Sequence, residues 1–243
     1  NLGTNYISIA KDVFEDEINS LKLVKDNLDS SFISAVDIIK GKVPPGRVVV
    51  IGLGKSGHIG NKIAASLAST GTPSFFVHAA EAGHGDLGMI TKEDVVLAIS
   101  YSGTGSELET VIGYTKRNGI PLLSMTKASP SVLFDASDYN LNITITREAC
   151  PLGLAPTASS TACLVMGDAI ALTLMQARGF SEVDYAQTHP HGALGRKLLL
   201  SVSEIMVQGE NIPILDQKLT IKEAILKISQ FGLGVGVVVD SRM

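Results

Sequence analysis

Cysteine is scarce in this sequence: 243 residues contain only Cys150 and Cys163. Two thiols cannot make a disulfide framework, which points to a reducing cytoplasm. Positive charge is not concentrated anywhere. The net charge is −4 and no basic cluster occurs, so nucleic acid is not expected as a partner. Charges recur through the first thirty residues, where no signal peptide is legible. Long apolar runs are missing as well. The most apolar region, 155–175, is interrupted by Thr157, Ser159, Ser160, Thr161, Asp168 and Thr173. It reads as a buried helix, and no membrane partner is expected. What is present is 45% hydrophobic and 18% charged residues, the balance of a globular protein with a generous core. The length suits one large domain, or one domain and a fragment.

The stretch from Asp94 to Glu109 organises the rest. Five apolar residues, Val95 to Ile99, suit a strand buried on both faces. Ser100, Ser102, Gly103, Thr104, Gly105 and Ser106 follow, and then a helical pattern. Strand, hydroxyl-rich loop and helix N-terminus together gather free N–H groups, the positive end of a helix dipole and small donors. Such a loop holds an anion, most naturally a phosphate. The plain alternative is a serine-rich turn that caps the helix.

Before this stretch, Ile7, Ala10, Phe14, Ile18, Leu21 and Leu28 mark one face of a long amphipathic helix. Phe32, Ala35, Val36 and Ile39 mark a second, capped by Asp29 and ended by Pro44, Pro45 and Gly46. With no strand yet to cover, these helices are expected to cross the domain or to pack on another subunit. VVVIGLGKSGHIG then predicts a strand and a G-x-G-x-x-G loop at Gly52, Gly54 and Gly57. Lys55 and Ser56 suggest a P-loop, but Val49 stands where its first glycine is required. Further strands are expected over Ser74–His78, Ile120–Met125 and Tyr139–Thr146, with a helix over Thr157–Gly179. Strands alternating with helices require a parallel sheet covered on both sides, with functional loops at the strands' C-terminal edge. Lys55, Glu81, the serine loop and Glu148 fall on that edge. Pro190 and its small neighbours predict an irregular loop around His189. From Ser203 onward the pattern changes to a new strand–helix–strand without room for a closed core.

GLGKSG, SGTGSE, EACPLGLAPT and THPHGALGRKLL resemble the arabinose 5-phosphate isomerase family, in which a sugar isomerase (SIS) domain precedes a pair of CBS motifs. The resemblance covers nearly the whole chain. It implies an α/β fold with a five-stranded parallel sheet sandwiched by helices, flavodoxin-like in order. A SIS domain is expected over 1–202 and the start of a CBS module over 203–243. The implied activity interconverts ribulose 5-phosphate and arabinose 5-phosphate, supplying the Kdo sugar of lipopolysaccharide or capsule. The family is homotetrameric and needs neither metal nor organic cofactor. Its catalytic positions fall here on Lys55, Glu107, Glu148 and His189. Substrate and phosphate contacts are assigned to Gly54, Ser56, Ser100, Ser102, Thr104, Ser106 and His84. Two departures stand out: Tyr101-Ser102-Gly103-Thr104 where the family has Asn-Ser-Gly-Glu, and His191 where it has glycine.

The reaction asks for these groups on its own account. Moving a carbonyl through an enediol requires a carboxylate base, a cation for the developing oxyanion, and an acid–base group for ring opening. A glutamate, lysine and histidine supply them, the glutamate best if burial raises its pKa. Glu148 is the expected base, because Glu107 closes a capping box with Thr104 in T-G-S-E. Each residue also has a plainer reading: Glu148 as a solvated loop residue, Lys55 as cover for a helix start, His189 as loop filler. Cys150 reads as a buried thiol. His78, His84 and His191 match no standard zinc spacing, and no metal site is expected. Two other functions stay open. A nicotinamide-dependent oxidoreductase would use the first glycine loop and Glu81, and a non-catalytic sugar-phosphate-sensing SIS domain would keep only the serine loop.

Overall fold

The computed structural model describes residues 5–128, 130–190, 192, 195, 197–198 and 201–239. The chain forms two compact units, 1–188 and 189–243.

In the first unit, two helices, α1 (Tyr6–Asp26) and α2 (Ser30–Lys42), precede the sheet. Then come β1 (Val48–Gly52), α3 (Gly54–Ser69), β2 (Ser74–His78), α4 (Ala79–Ala82), β3 (Val95–Ile99) and α5 (Ser106–Asn118). β4 (Leu122–Thr126), α6 (Val132–Ala136), β5 (Tyr139–Asn142), α7 (Ala158–Ala177) and α8 (Glu182–Thr188) complete it. The five strands are parallel in the order β2-β1-β3-β4-β5. The order reverses direction between β1 and β3, which makes the crevice at their C-terminal ends the natural ligand site.

Strand alternation divides the core in two. Val48, Val50, Val95, Leu97 and Ile99 point to α1, α2, α3 and α7. Val49, Ile51, Val96 and Ala98 point to α4, α5 and α6. The period-2 geometry of a strand sends successive side chains to opposite faces, so an all-apolar strand feeds both layers. α7 has the length and composition of a membrane span, yet half of it is buried and it lies against α1, α2 and α3. Gly167 permits this, because a Cβ there would collide with Ile63 of α3. At the opposite edge of the sheet, fully buried Asp94 accepts from the Arg47 backbone N–H and Nη2 at 2.8 Å each, Arg47 Nε at 3.1 Å and the Thr91 N–H at 2.8 Å. Burial alone would raise the Asp94 pKa. The bonds from Arg47 and Thr91 outweigh it and hold the carboxyl below its ordinary range. This fixes β1 and β3 at the end away from the loops.

Several expectations shift. β4 begins at Leu122 and not Ile120, because the Ile120 N–H closes the end of α5 on the Thr115 carbonyl at 3.0 Å. β5 stops at Asn142, whose side chain accepts the Thr144 N–H at 2.9 Å and turns the chain. Tyr185 to Thr188 are helical and not loop. Ser181 and Asp184 start α8 by exchanging side-chain bonds with each other's N–H groups. The predicted apolar row of α1 does not face the sheet. Ile7 and Phe14 are each 70% exposed, while Ser20 and Val24 are the buried positions.

The second unit contains a short helix (Val202–Ile205), a parallel pair formed by β6 (Ile214–Asp216) and β7 (Val237–Val239), and a helix over Ile221–Phe231. Thr220 and Glu223 close a capping box at the start of that helix, and Gly232 in the left-handed region ends it. Leu215 is its main buried apolar side chain, while Ile221, Ile225 and Val238 remain exposed.

Candidate active site

The site is built at the C-terminal edge of the sheet, where the loops after β1 and β3 flank the switch point. After β1, Gly52 and Gly57 come so close that a Cβ on Gly52 would stand 2.8 Å from the Ser56 carbonyl. Gly54 adopts a positive φ of 56°. Only glycines let strand and helix meet this tightly. Leu53 caps α3 without a side-chain bond, leaving Lys55 exposed and Ser56 half-buried on the first turn. Glu81 lies in the first turn of α4, exposed, and not at the tip of β2 where a dinucleotide's ribose would need it. His84 follows on the exposed loop, with its N–H on the Glu81 carbonyl at 2.9 Å.

After β3 the serine loop folds on itself. Ser100 Oγ accepts the Gly103 N–H at 3.2 Å, and Ser102 Oγ accepts from the Thr104 N–H at 3.4 Å and Thr104 Oγ1 at 3.1 Å. Gly103, at φ +69°, admits no Cβ against Ser131. The expected capping box is not formed. Gly105, not Thr104, is the N-cap of α5, so Glu107 sits one position too early to reach back. Glu107 instead takes the Ser106 hydroxyl at 3.2 Å and is half-exposed.

Glu148 has the opposite environment. Its Oε2 accepts the Thr157 N–H at 2.8 Å, Thr157 Oγ1 at 2.9 Å and the Ser159 N–H at 3.3 Å. From nine positions before Thr157, this carboxylate supplies the partner that the start of α7 lacks in a side-chain cap. Burial would raise its pKa. The bonds from Ser159 and Thr157 win, and the pKa lies below the ordinary value. This corrects the expectation that burial lifts it. Burial, followed by the charge of Glu148, pushes buried Cys163 up to about 12. Tyr101 connects the two regions. Its hydroxyl accepts the Ile145 N–H at a long 3.5 Å, and burial, then Glu148 and Cys163, raise its pKa. The serine loop and the Glu148 segment are thus neighbours.

A cleft of about 690 Å³ opens between α1 and residues 147–153, lined by Ile9, Asp12, Val13 and Asp16 opposite Arg147 and Glu148. A larger hollow of about 870 Å³ in the second unit includes Met206, Phe231 and Leu233 and no candidate residue, so size does not locate the chemistry. Cys150 is half-exposed, not buried, and the backbone N–H groups of Ala155, Leu154 and Leu152 hold its thiol below the usual range.

Lys55, the serine loop, Glu107 and Glu148 therefore share one edge of one unit. His189 opens the second unit, half-buried, with its carbonyl accepting the Gly192 N–H at 3.0 Å. His191 lies outside the described residues. Among the described residues no group of three or more His, Cys, Asp or Glu suits a metal ion. Sequence reasoning missed Thr157 and Ser159 as partners of Glu148. The hydroxyls at the start of α7 were the available signal, but nothing local says that their acceptor lies nine residues before Thr157.

Comparison with known proteins identifies the family. The SIS domain profile matches residues 43–173. Arabinose 5-phosphate isomerase KdsD of Francisella tularensis is 49% identical over 239 residues, 98% of this chain and 73% of that protein. Its namesake from Pseudomonas aeruginosa is 51% identical over 229 residues, 91% of this chain and 69% of that protein. An E. coli CFT073 protein solved in complex with arabinose 5-phosphate superimposes with a TM-score of 0.73 at 42% identity, covering 77% of this chain and 99% of that one. The chain belongs to the SIS domain family and, within it, to the arabinose 5-phosphate isomerases.

Proposed function

We propose that this edge of the sheet carries out aldose–ketose isomerisation of D-ribulose 5-phosphate and D-arabinose 5-phosphate through an enediol. The observation that carries the reading is a carboxylate anchored through one oxygen beside a glycine- and serine-rich anion loop. The serine loop takes the phosphate with the Ser100, Ser102, Thr104 and Ser106 hydroxyls and the first N–H groups of α5. Gly54, Ser56 and His84 complete the substrate contacts. Glu148 abstracts the carbon-bound proton through Oε1, while Oε2 stays fixed to the start of α7. A low pKa keeps it charged and ready, and fixed geometry compensates for modest basicity. Lys55 faces the developing oxyanion. Ring opening and proton movement between oxygens are assigned to His189 by its match to the family's motif alone. Glu107 contacts substrate hydroxyls at the helix start.

The enzyme works as a homotetramer in the cytoplasm, and its product serves Kdo synthesis. The open apolar row of α1, with Ile7 and Phe14, supports assembly through that helix. By resemblance to the family, the catalytic part runs past the first compact unit to residue 202, and 203–243 carry a CBS-like pattern. Incubation with ribulose 5-phosphate and no added nicotinamide tests the reaction: arabinose 5-phosphate should appear. Absence of an aldose product, with ribulose 5-phosphate still bound, would favour a sugar-phosphate sensor.

A further inference from the structure

α1 precedes the first strand and belongs to no strand–helix unit, yet one of its faces is tied to the chain on both sides of Glu148. Arg147 donates to Asp16 Oδ1 through Nε at 2.8 Å and pairs with it through Nη2 at 2.7 Å. Thr161 donates to Glu17 Oε2 at 2.7 Å. Ser20 Oγ and Thr146 Oγ1 are 2.9 Å apart. Thr146 and Arg147 directly precede Glu148, and Thr161 stands in the first turn of the helix whose start Glu148 holds. Positions 16, 17 and 20 lie on one side of a helix, so a single rigid element grips both approaches to the carboxylate. Ser20 is fully buried and the Thr146 and Thr161 bonds are part-buried, so solvent competes little for them, whereas the Asp16 side chain, 17% exposed, meets an Arg147 that is 71% exposed.

We infer that Asp16, Glu17 and Ser20 are positioning residues for the isomerisation: α1 holds Thr146, Arg147 and Thr161 so that Glu148 meets the substrate in a fixed orientation. This rests on the reading of Glu148 as the base. The segment between Asn142 and Ala158 has no regular structure and follows an edge strand, so its register must come from elsewhere. α1 supplies it. Phosphate binding resides in the serine loop, which α1 does not hold. Loosening the grip should therefore slow the chemical step and leave substrate affinity in place.

The test compares four full-length proteins: wild type, Glu148→Gln, the triple variant Asp16→Ala/Glu17→Ala/Ser20→Ala, and the conservative Asp16→Asn/Glu17→Gln. Alanine suits a helix, so α1 itself persists in the triple variant. Asparagine and glutamine keep the accepting oxygens. Displacement of a reacting group by a fraction of an ångström should lower kcat of the triple variant by about tenfold to a hundredfold, with KM within about twofold. Exchange of the substrate's carbon-bound hydrogen in heavy water should fall in step, and the conservative variant should stay near wild type. A folded triple variant with wild-type kcat overturns the proposal. So does a loss confined to KM, or a conservative variant that falls as far as the triple. If the triple variant does not fold, Glu17→Ala alone against Glu17→Gln carries the same comparison. Glu148→Gln tests the underlying reading separately: undiminished exchange in that variant overturns the role of Glu148 itself, whatever α1 does.

Discussion

Two carboxylates follow two strands of the same sheet and live under different rules. Glu107, in the loop after β3, sits on the first turn of α5, half-exposed and, among the described residues, bonded to the neighbouring Ser106 hydroxyl alone. Glu148, in the segment after β5, is fixed through Oε2 by Thr157 and Ser159 at the start of α7. From the sequence, Glu107 is accounted for by a capping box and Glu148 is the expected base, best served by a pKa raised through burial. A shift of the N-cap from Thr104 to Gly105 releases Glu107, while Glu148 is fixed independently by the start of α7. A capping box demands its glutamate at the third helical position, and one residue of slip removes the bond altogether.

The largest effect that would break this contrast is catalytic. Glu148→Gln should lose about 10²–10⁴-fold in kcat and in hydrogen exchange with heavy water, the range for a positioned acid–base group. Substrate binding should persist, because the amide oxygen can keep the bonds from Thr157 and Ser159. If Glu107→Gln abolishes exchange and Glu148→Gln does not, the roles are swapped. Next in size is the anion loop. Ser102→Ala removes a donor to a charged acceptor worth roughly 1.5–3 kcal/mol, which should raise KM about 10- to 150-fold at little change in kcat. A ligand complex with its phosphate far from residues 100–106 would contradict the assignment.

Smaller, and a sharper view of what anchors Glu148, is Thr157→Val. It keeps the shape but removes the hydroxyl that donates to Glu148 and accepts the Ala149 N–H at 2.9 Å. Thermal or denaturant unfolding should show a loss of about 1–3 kcal/mol, with kcat falling alongside. Unchanged stability would mean that the anchor is the backbone alone. The least effect concerns acid. The folded pKa of Glu148 lies below its ordinary value near 4.5, so its contribution is present above that value and is lost as pH falls through the lower folded one. Relative to wild type, Glu148→Gln should lose less stability on acidification below about pH 4.5, read by unfolding midpoints across pH. Parallel acid limbs would show that the bonds to Oε2 do not favour the charged form.

The sequence by itself determined the layered α/β fold, because Val48 to Gly52 and Val95 to Ile99 are apolar at every position but the terminal Gly52 and must be buried on both faces. It determined the edge on which Lys55, the serine loop and Glu148 appear, since loops after parallel strands share one side of the sheet. Glycines announced their roles as well: Gly52 and Gly57 permit a close approach that no other residue allows. Tertiary structure alone decided what each group bonds to. That Glu148 serves α7, that Tyr101 reaches Ile145, and that Asp16, Glu17 and Ser20 of α1 grip residues more than a hundred positions away all depend on packing between distant segments. Local propensity and periodicity report which face of an element is buried. They carry no record of which distant donor will meet a given acceptor, and at this site those pairings set the charge and the orientation of the carboxylate.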